Sequence, residues 1–249
     1  MKAIIIGAGR GVRLMPTTAD APKCFAEVKG RRIIDWTRQA FADNGIERLC
    51  FIGGYRIDTV KAAYPDFIFY HNEDWENNNI LASLMYAQVE MDEPFICCYS
   101  DTLFTPRVVA GLIASEADIA LSVDTDWLAR YQHRSQHPPD DAEKVTSRNG
   151  AITAIHRDLP ESEAHGEFTG MARFSARGAS QLRDHYHRCR EACGVGPFRE
   201  SPAFSKAYLI HLLQDMIESG VAMAHVDTPG SYMEIDTQED FELAQRFWR

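Results

Sequence analysis

Short apolar runs and amphipathic stretches alternate along the first half of the chain. Strand-like runs at Lys2–Ile6, Arg48–Ile52, Phe67–Tyr70, Phe95–Tyr99 and Ile119–Val123 are separated by stretches of helical spacing at Ile33–Asn44, Ile57–Tyr64, Ile80–Val89 and Val108–Ser115. Strand following helix in this order predicts an α/β fold. Ile4-Ile5-Ile6 and Phe95-Ile96-Cys97-Cys98-Tyr99 are apolar on both faces, as central strands are when helices cover a parallel sheet on both sides. In sheets of this class ligands bind beyond the C-terminal strand ends.

The rhythm breaks after residue 123. The stretch from Asp124 to Pro139 is too polar and proline-rich for core, and "EKVTSRNGAITAIHRDL" predicts a hairpin turning at Asn149-Gly150. Helical patterns at Ala176–Cys193 and Ser205–Ser219, a strand at Val221–Val226 and a last helix after Thr237 lead back to the main body. With no internal repeat and no low-complexity linker, the expected organisation is one domain over 1–249, with 124–167 as an inserted lid.

Composition narrows the picture. A chain of 249 residues, 45% hydrophobic and 25% charged, can bury a substantial core. Its net charge of -10 argues against nonspecific nucleic-acid binding, so a phosphate-bearing small molecule would need a locally basic site. No stretch reaches the roughly 20 apolar residues of a membrane span, and no apolar signal region opens the chain, which predicts a cytoplasmic protein without a membrane partner. The six cysteines lack metal-ligand spacing, so reduced thiols and no zinc are expected. The nine histidines show neither HxxxH nor HExxH and read as surface or loop residues.

The basic site is near the N-terminus, in "IIIGAGRGVRLMPTTADAPK". A dinucleotide fingerprint fails here, because its third glycine would fall on Val12 or Leu14, and a phosphate loop of the Gly-Lys-Ser/Thr kind fails because Gly11 is followed by Val12-Arg13. What remains is a strand opening into a loop whose Gly9 and Gly11 admit close backbone approach. Arg10, Arg13 and Lys23 supply positive charge, and Pro16 and Pro22 stiffen the path. Such a loop suits a triphosphate.

Gly9, Gly11, Arg13, Leu14, Pro16, Thr18, Pro22 and Lys23 together resemble the nucleotidyltransferase signature G-x-G-x-R-L-x-P-x-T followed by P-K. Further matches are Val28 and Gly30 before "RRIIDW", "GGY" at Gly53–Tyr55, Asp101 after a strand, and "EIDTQEDF" from Glu234. Gly7, where the family usually has alanine, and Cys24-Phe25, where proline and leucine are usual, depart from it. "WENNNILASLMYA", "YSDTLF", "DAEKV" and "GEFTGM" are similar to the branch of small bacterial cytidylyltransferases acting on phosphocholine, 2-aminoethylphosphonate and related compounds. The resemblance implies a Rossmann-like single domain with a mixed, mostly parallel central sheet, of the nucleotide-diphospho-sugar transferase type. It implies Mg2+-dependent transfer of CMP from CTP to a phosphorylated or phosphonate acceptor, and leaves a homodimer open. The alternatives are a sugar-1-phosphate nucleotidylyltransferase and a silent nucleotide-binding regulatory subunit, which would be expected to lose Lys23 or the carboxylates.

By that resemblance Lys23 stabilises charge at the α-phosphate and Arg13 holds the leaving pyrophosphate. Ala8, Gly9, Arg10, Gly11, Tyr55, Asn79 and Ser83 then line the nucleotide pocket, and Asp101, Glu234 and Asp236 hold the magnesium. The strand period of two also places Glu234 and Asp236 on one face, where adjacent carboxylates repel without a cation. Plainer roles stay open: surface cations for Lys23 and Arg13, a helix cap for Asp101, a solvent-facing edge for Glu234 and Asp236, an N-cap for Asn79 and core for Tyr55. Asp240, three after Thr237, reads as a capping box opening the last helix. On the acceptor side the candidates are Lys144 for a phosphate, and Trp127, Tyr131, Asp141, Glu143 and Glu167 for a cationic amine, with packing or solvation the alternative for each.

Overall fold

In the computed structural model, which describes residues 1–249, the apolar N-terminal run forms β1 (Lys2–Gly7) within a nine-stranded sheet. The other strands are β2 (Leu49–Gly53), β3 (Ile68–His71), β4 (Phe95–Tyr99), β5 (Ile119–Asp124), β6 (Lys144–Arg148), β7 (Ala151–His156), β8 (Gly166–Phe174) and β9 (Ala224–Asp227). Their spatial order is β3-β2-β1-β4-β8-β5-β9-β7-β6. β1 runs parallel to β2 and β4, β2 to β3, and β5 to β9, whereas β8 enters antiparallel between β4 and β5. The start of β8 also pairs with β6, Gly166 opposite Val145 and Glu167 opposite Lys144. Strands β8, β5, β9, β7 and β6 therefore close into a ring beside the open parallel half.

Eight α-helices accompany the sheet: α1 (Ile33–Ala42), α2 (Ile57–Ala63), α3 (Ile80–Met85), α4 (Pro106–Ala114), α5 (Trp127–Tyr131), α6 (Ala176–Cys193), α7 (Leu209–Glu218) and α8 (Gln238–Phe247). The alternation of side chains along the central strands divides the core in two. Ile4, Ile6, Cys50, Ile52 and Cys97 pack with Leu84 of α3, Leu182 of α6 and Leu212 of α7. Ala3, Ile5, Phe51 and Cys98 pack with Phe41 of α1 and Leu112 of α4. Both faces of the parallel half are covered, which is why its strands read as unbroken apolar runs.

Several boundaries shift. α3 stops at Met85, with Gln88–Glu90 in a separate 3-10 turn, and α7 starts at Leu209 because Ala207 and Tyr208 are extended. The last strand of the large sheet, β9, begins at Ala224 rather than Val221. The hairpin forms where expected, with Asn149 and Gly150 both at positive φ, 52° and 79°. Its strands β6 and β7 hydrogen-bond into the main sheet, so residues 124–167 supply two of the nine strands. No helix is long and apolar enough to cross a membrane.

Candidate active site

At the C-terminal end of β1 the chain turns into the glycine loop. Gly11 has φ 68°, in the left-handed region, and a Cβ there would come 3.0 Å from Cδ of Lys23. Glycine thus makes the turn and leaves the channel through which the lysine reaches inward. At Gly9 a Cβ would meet nothing within 4 Å, so the backbone faces open space. That space is a cavity of about 370 Å3 lined by Ala8, Gly9, Gly11, Arg13, Lys23, Asn79 and Ser83, together with Trp75, Asn78 and Ser100. Arg10 and Tyr55 stay outside this lining: the Arg10 guanidinium lies 5.4 Å from the Tyr55 ring centroid, and Tyr55 packs edge-on against Trp75, ring centroids 5.7 Å apart. Trp75 lines the cavity together with Tyr99 and Tyr208, and Tyr55 packs behind Trp75. Asn79 caps α3, its Oδ1 accepting from Ile80 N at 2.8 Å, while Nδ2 donates to the Lys206 carbonyl at 3.1 Å. Ser83 is buried and accepts from Asn72 Nδ2 at 2.9 Å.

Lys23 marks the junction between this cavity and the next. Its Nζ donates to Asp101 Oδ2 and to Asp236 Oδ1, each at 2.6 Å, and Arg13 pairs with the other oxygen of Asp236. Burial works against the ammonium, but the two carboxylates outweigh it and hold Lys23 above the ordinary lysine range. Burial likewise works against the Asp236 carboxylate, and Lys23 and Arg13 overcome it, leaving its pKa low. Glu234 is pushed the other way, upward, by burial and by the charges of Asp101 and Asp236. Two short paired strands, Thr102–Phe104 and Tyr232–Glu234, hold the carboxylates: Glu234 ends the second, Asp101 immediately precedes the first, Asp236 lies two residues beyond Glu234, and Ile235 N donates to the Asp101 carbonyl at 2.9 Å. Asp101 Oδ1 is buried with no partner, and Glu234 holds no lysine or arginine. An all-oxygen donor set with an unsatisfied oxygen, and a glutamate raised by burial and by neighbouring carboxylates, fits a hard divalent cation such as Mg2+.

A second cavity of about 420 Å3 shares Arg13, Asn79, Tyr99, Asp101 and Asp236 with the first and extends under the ring of strands. Asp141, Glu143, Glu167 and Glu234 line it, as do Arg157, Tyr208 and Tyr232. Arg157 sits 4.3 Å from the Tyr208 ring centroid and 3.3 Å from Glu143 Oε1. Burial lifts Glu143 to about 7 although Arg157 pulls the other way. Glu167 is already paired: Tyr131 donates to it at 2.6 Å, and Arg130 binds both it and Asp124. Tyr99 Oη and Arg157 Nε are buried without partners beside the cavity. Gly170, at φ 73°, makes room for the Tyr99 ring, which any Cβ there would strike.

Three expected acceptor-side residues are not on this cavity. Trp127 and Tyr131 are 2% and 5% exposed and form a small core of their own with Ala142. Lys144 is buried, donates to the Pro139 carbonyl at 3.2 Å and lies 5.9 Å from the Trp127 ring centroid. The amphipathic α5 uses its aromatic face to bury itself, and the lysine closes over that face. Arg157, Tyr208, Tyr99 and Tyr232 take the cavity positions instead. Their only sequence signals were an arginine and aromatics at strand or helix ends.

The expected capping box at Thr237 and Asp240 forms, and Asp240 does more than cap. Arg134 Nε lies 2.7 Å from Asp240 Oδ1, and His137 lies 3.6 Å from Asp240 Oδ2 and 3.8 Å from Glu234 Oε2. His137, His185 and His211 are buried, so the histidines are not all surface or loop residues.

With this geometry in view, the sequence matches the MobA-like NTP transferase domain over residues 3–187. The chain belongs to that family. Among relatives, the CTP:phosphoglutamine cytidylyltransferase of Campylobacter jejuni is 29% identical, with 98% of each chain covered. Among solved structures, the inositol-1-phosphate CTP transferase from T. maritima superposes with a TM-score of 0.74 at 23% identity, covering 98% of this chain and 95% of that one. The CTP:phosphocholine cytidylyltransferase from Streptococcus pneumoniae does so with a TM-score of 0.73 at 18% identity, covering 100% and 99%. The single mixed α/β domain is the fold these structures share.

Proposed function

We propose that this protein transfers CMP from CTP to a phosphate or phosphonate oxygen of a small acceptor and releases pyrophosphate. The observation that carries this reading is Lys23, clamped between Asp101 and Asp236 where two cavities meet. CTP occupies the cavity of the glycine loop, with its α-phosphate at the junction, and the acceptor enters from the other side. The acceptor oxygen forms a bond to the α-phosphorus, and the bond to the bridging oxygen breaks, with its electron pair leaving on pyrophosphate. A phosphate monoester is largely a dianion at neutral pH, so no general base is needed. The protein's work is positioning and neutralising anions. Lys23 faces the charge that grows on the α-phosphate, and Arg13, 64% exposed at the rim, swings to the pyrophosphate. Asp101, Glu234 and Asp236 would hold Mg2+, which supplies charge neutralisation between the two anionic substrates.

The acceptor cavity also favours one kind of acceptor. Of the aromatic faces a trimethylammonium would need, Arg157 already covers Tyr208 and Arg130 covers Tyr232. Glu143 accepts and Arg157 donates, 3.3 Å apart, which suits a group that both donates and accepts hydrogen bonds, such as a primary amine with a neighbouring carboxyl or carboxamide. The phosphoglutamine relative, similar over its full length, supports that choice. The test is pyrophosphate release with each common triphosphate against phosphoglutamine, phosphocholine, 2-aminoethylphosphonate, phosphoethanolamine, inositol-1-phosphate and sugar phosphates, with magnesium. The expected result is CTP with an amine- or amide-bearing acceptor. A preference for UTP or dTTP with a sugar phosphate replaces this reading with the sugar-nucleotide one, and no release from any pair refutes enzymatic transfer.

A further inference from the structure

Two clusters of metal-ligating side chains lie outside the active site, and their surroundings separate them. In the first, His185 and Cys189 of α6 meet Asp215 of α7. There the Arg188 guanidinium contacts the His185 ring nitrogens at 2.7 and 2.9 Å, and Arg199 stands 3.9 Å from Asp215. Burial raises the Cys189 thiol to about 12, away from the thiolate a metal needs. That cluster is a buried polar network already supplied with cations.

The second cluster is His165, His225 and Asp227. His165 Nε2 and His225 Nδ1 lie 2.8 and 2.7 Å from the same oxygen, Asp227 Oδ1. The rings, with centroids 4.3 Å apart and tilted by 54°, converge on that point rather than stack. These imidazoles are the ion-pairing partners of Asp227; no lysine or arginine pairs with it. All three donors are held by the sheet. His225 and Asp227 alternate onto one face of β9, and His165, whose amide donates to the Val145 carbonyl at 2.7 Å, immediately precedes β8. Because β5 lies between β8 and β9, this convergence exists only in the folded ring. No spacing rule within the sequence could reveal it.

We propose that His165, His225 and Asp227 bind a divalent first-row transition metal, with Zn2+ the ion expected, clipping the start of β8 to β9. Two imidazoles and one carboxylate are the donors zinc takes in three-ligand sites, with water in the fourth position. The same donors are poor for magnesium, which prefers all-oxygen shells. Zinc bonds of about 2.0–2.2 Å would require the rings to back away from Asp227 by a few tenths of an ångström, within the freedom of partly exposed side chains. The clip lies two residues before Glu167, so an occupied site stiffens the wall of the second cavity without touching the reacting groups. The expectation of no zinc rested on cysteine spacing and does not bear on donors brought together by the sheet.

The test uses the full chain, stripped of metal with a chelator. Zinc is titrated against a chromophoric competitor with magnesium in excess, so that oxygen-only sites are filled. Co2+ is titrated separately and read by its visible absorption. The expected result is one zinc per chain, with affinity weakened at least about tenfold in His225→Gln and again in His165→Asn. The Co2+ band is lost in both variants, while their zinc-free circular dichroism and Tm match the parent. Zinc bound equally by parent and both variants, or no stoichiometric binding by the parent, overturns the proposal.

Discussion

Replacing Lys23 by methionine separates the lysine's structural and catalytic work. Methionine keeps most of the aliphatic bulk that packs beside Gly11 but removes the ammonium that stands 2.6 Å from both Asp101 and Asp236. Breaking a buried ion pair by deleting one partner costs roughly 3–5 kcal/mol. Arg13 still pairs with Asp236, so the lower end, about 3 kcal/mol, is expected. For a chain of this size each kcal/mol moves Tm by about 2–4 °C, giving a fall of roughly 6–12 °C without divalent cation. Excess magnesium should recover part of that fall, because it relieves the same carboxylate repulsion. It should not restore turnover. Losing one well-placed donor to developing negative charge costs about 10²–10³-fold in kcat, while the KM for CTP, set largely by the glycine loop, should change less than about threefold. Differential scanning fluorimetry with and without magnesium, then steady-state pyrophosphate release, reads all three quantities. A raised KM with kcat intact would reduce Lys23 to a binding residue, and an unchanged Tm would refute the buried-clamp reading.

Asp236→Asn keeps the shape but removes the charge shared by Lys23 and Arg13, so turnover should fall at least about 10²-fold and the magnesium requirement should rise; activity at ordinary magnesium in this variant would remove Asp236 from the site. Glu143 is held at about 7 by burial against an ordinary 4.5. The stability owed to that raised value is complete below about 4.5 and is lost as pH rises through 7, whereas binding of a cationic acceptor strengthens over the same rise. The acceptor KM should therefore drop between pH 6 and 8, and Glu143→Gln should remove Glu143's part of the drop while leaving the part due to acceptor phosphate ionisation; an identical profile in the variant would disprove the role. Arg134→Met leaves Asp240 buried without its guanidinium and should cost about 3–5 kcal/mol, read as a denaturant midpoint, with loss under about 1 kcal/mol counting against the network.

The residues proposed for the nucleotide half converge in the structure as the sequence spacing implied, because their determinants are local. Gly9, Gly11, Arg13 and Lys23 lie within fifteen residues, Asp101 follows a doubly apolar strand, and Glu234 and Asp236 are related by the strand period. The acceptor half was much less legible. Trp127, Tyr131 and Lys144 looked like binding groups in a polar segment, yet aromatic residues at helical spacing serve equally to bury a short helix, and α5 uses them that way. Arg157 carries no motif. It reaches the cavity because β7 joins the sheet by pairing to β9 and β6, a contact that nothing near residue 157 announces.

That pairing also makes residues 124–167 a continuous part of the sheet beside the carboxylates. Arg130 donates to the Tyr232 carbonyl at 3.2 Å and Arg134 to the Glu234 carbonyl at 3.1 Å, so two arginines of this region grip the backbone of the strand that bears Glu234. Their side chains also neutralise Glu167 and Asp240, which would otherwise add negative charge beside carboxylates that already repel one another. The acidic wall of the acceptor cavity and the carboxylates at the junction are thus set by the same cations. An acceptor's positive group is read best by the acid with fewer partners of its own, which favours Glu143, with Arg157 at 3.3 Å, over Glu167, bound by both Arg130 and Tyr131. In the proposed reading, acceptor specificity then rests on Glu143 and Arg157, which lie outside the glycine-loop signature.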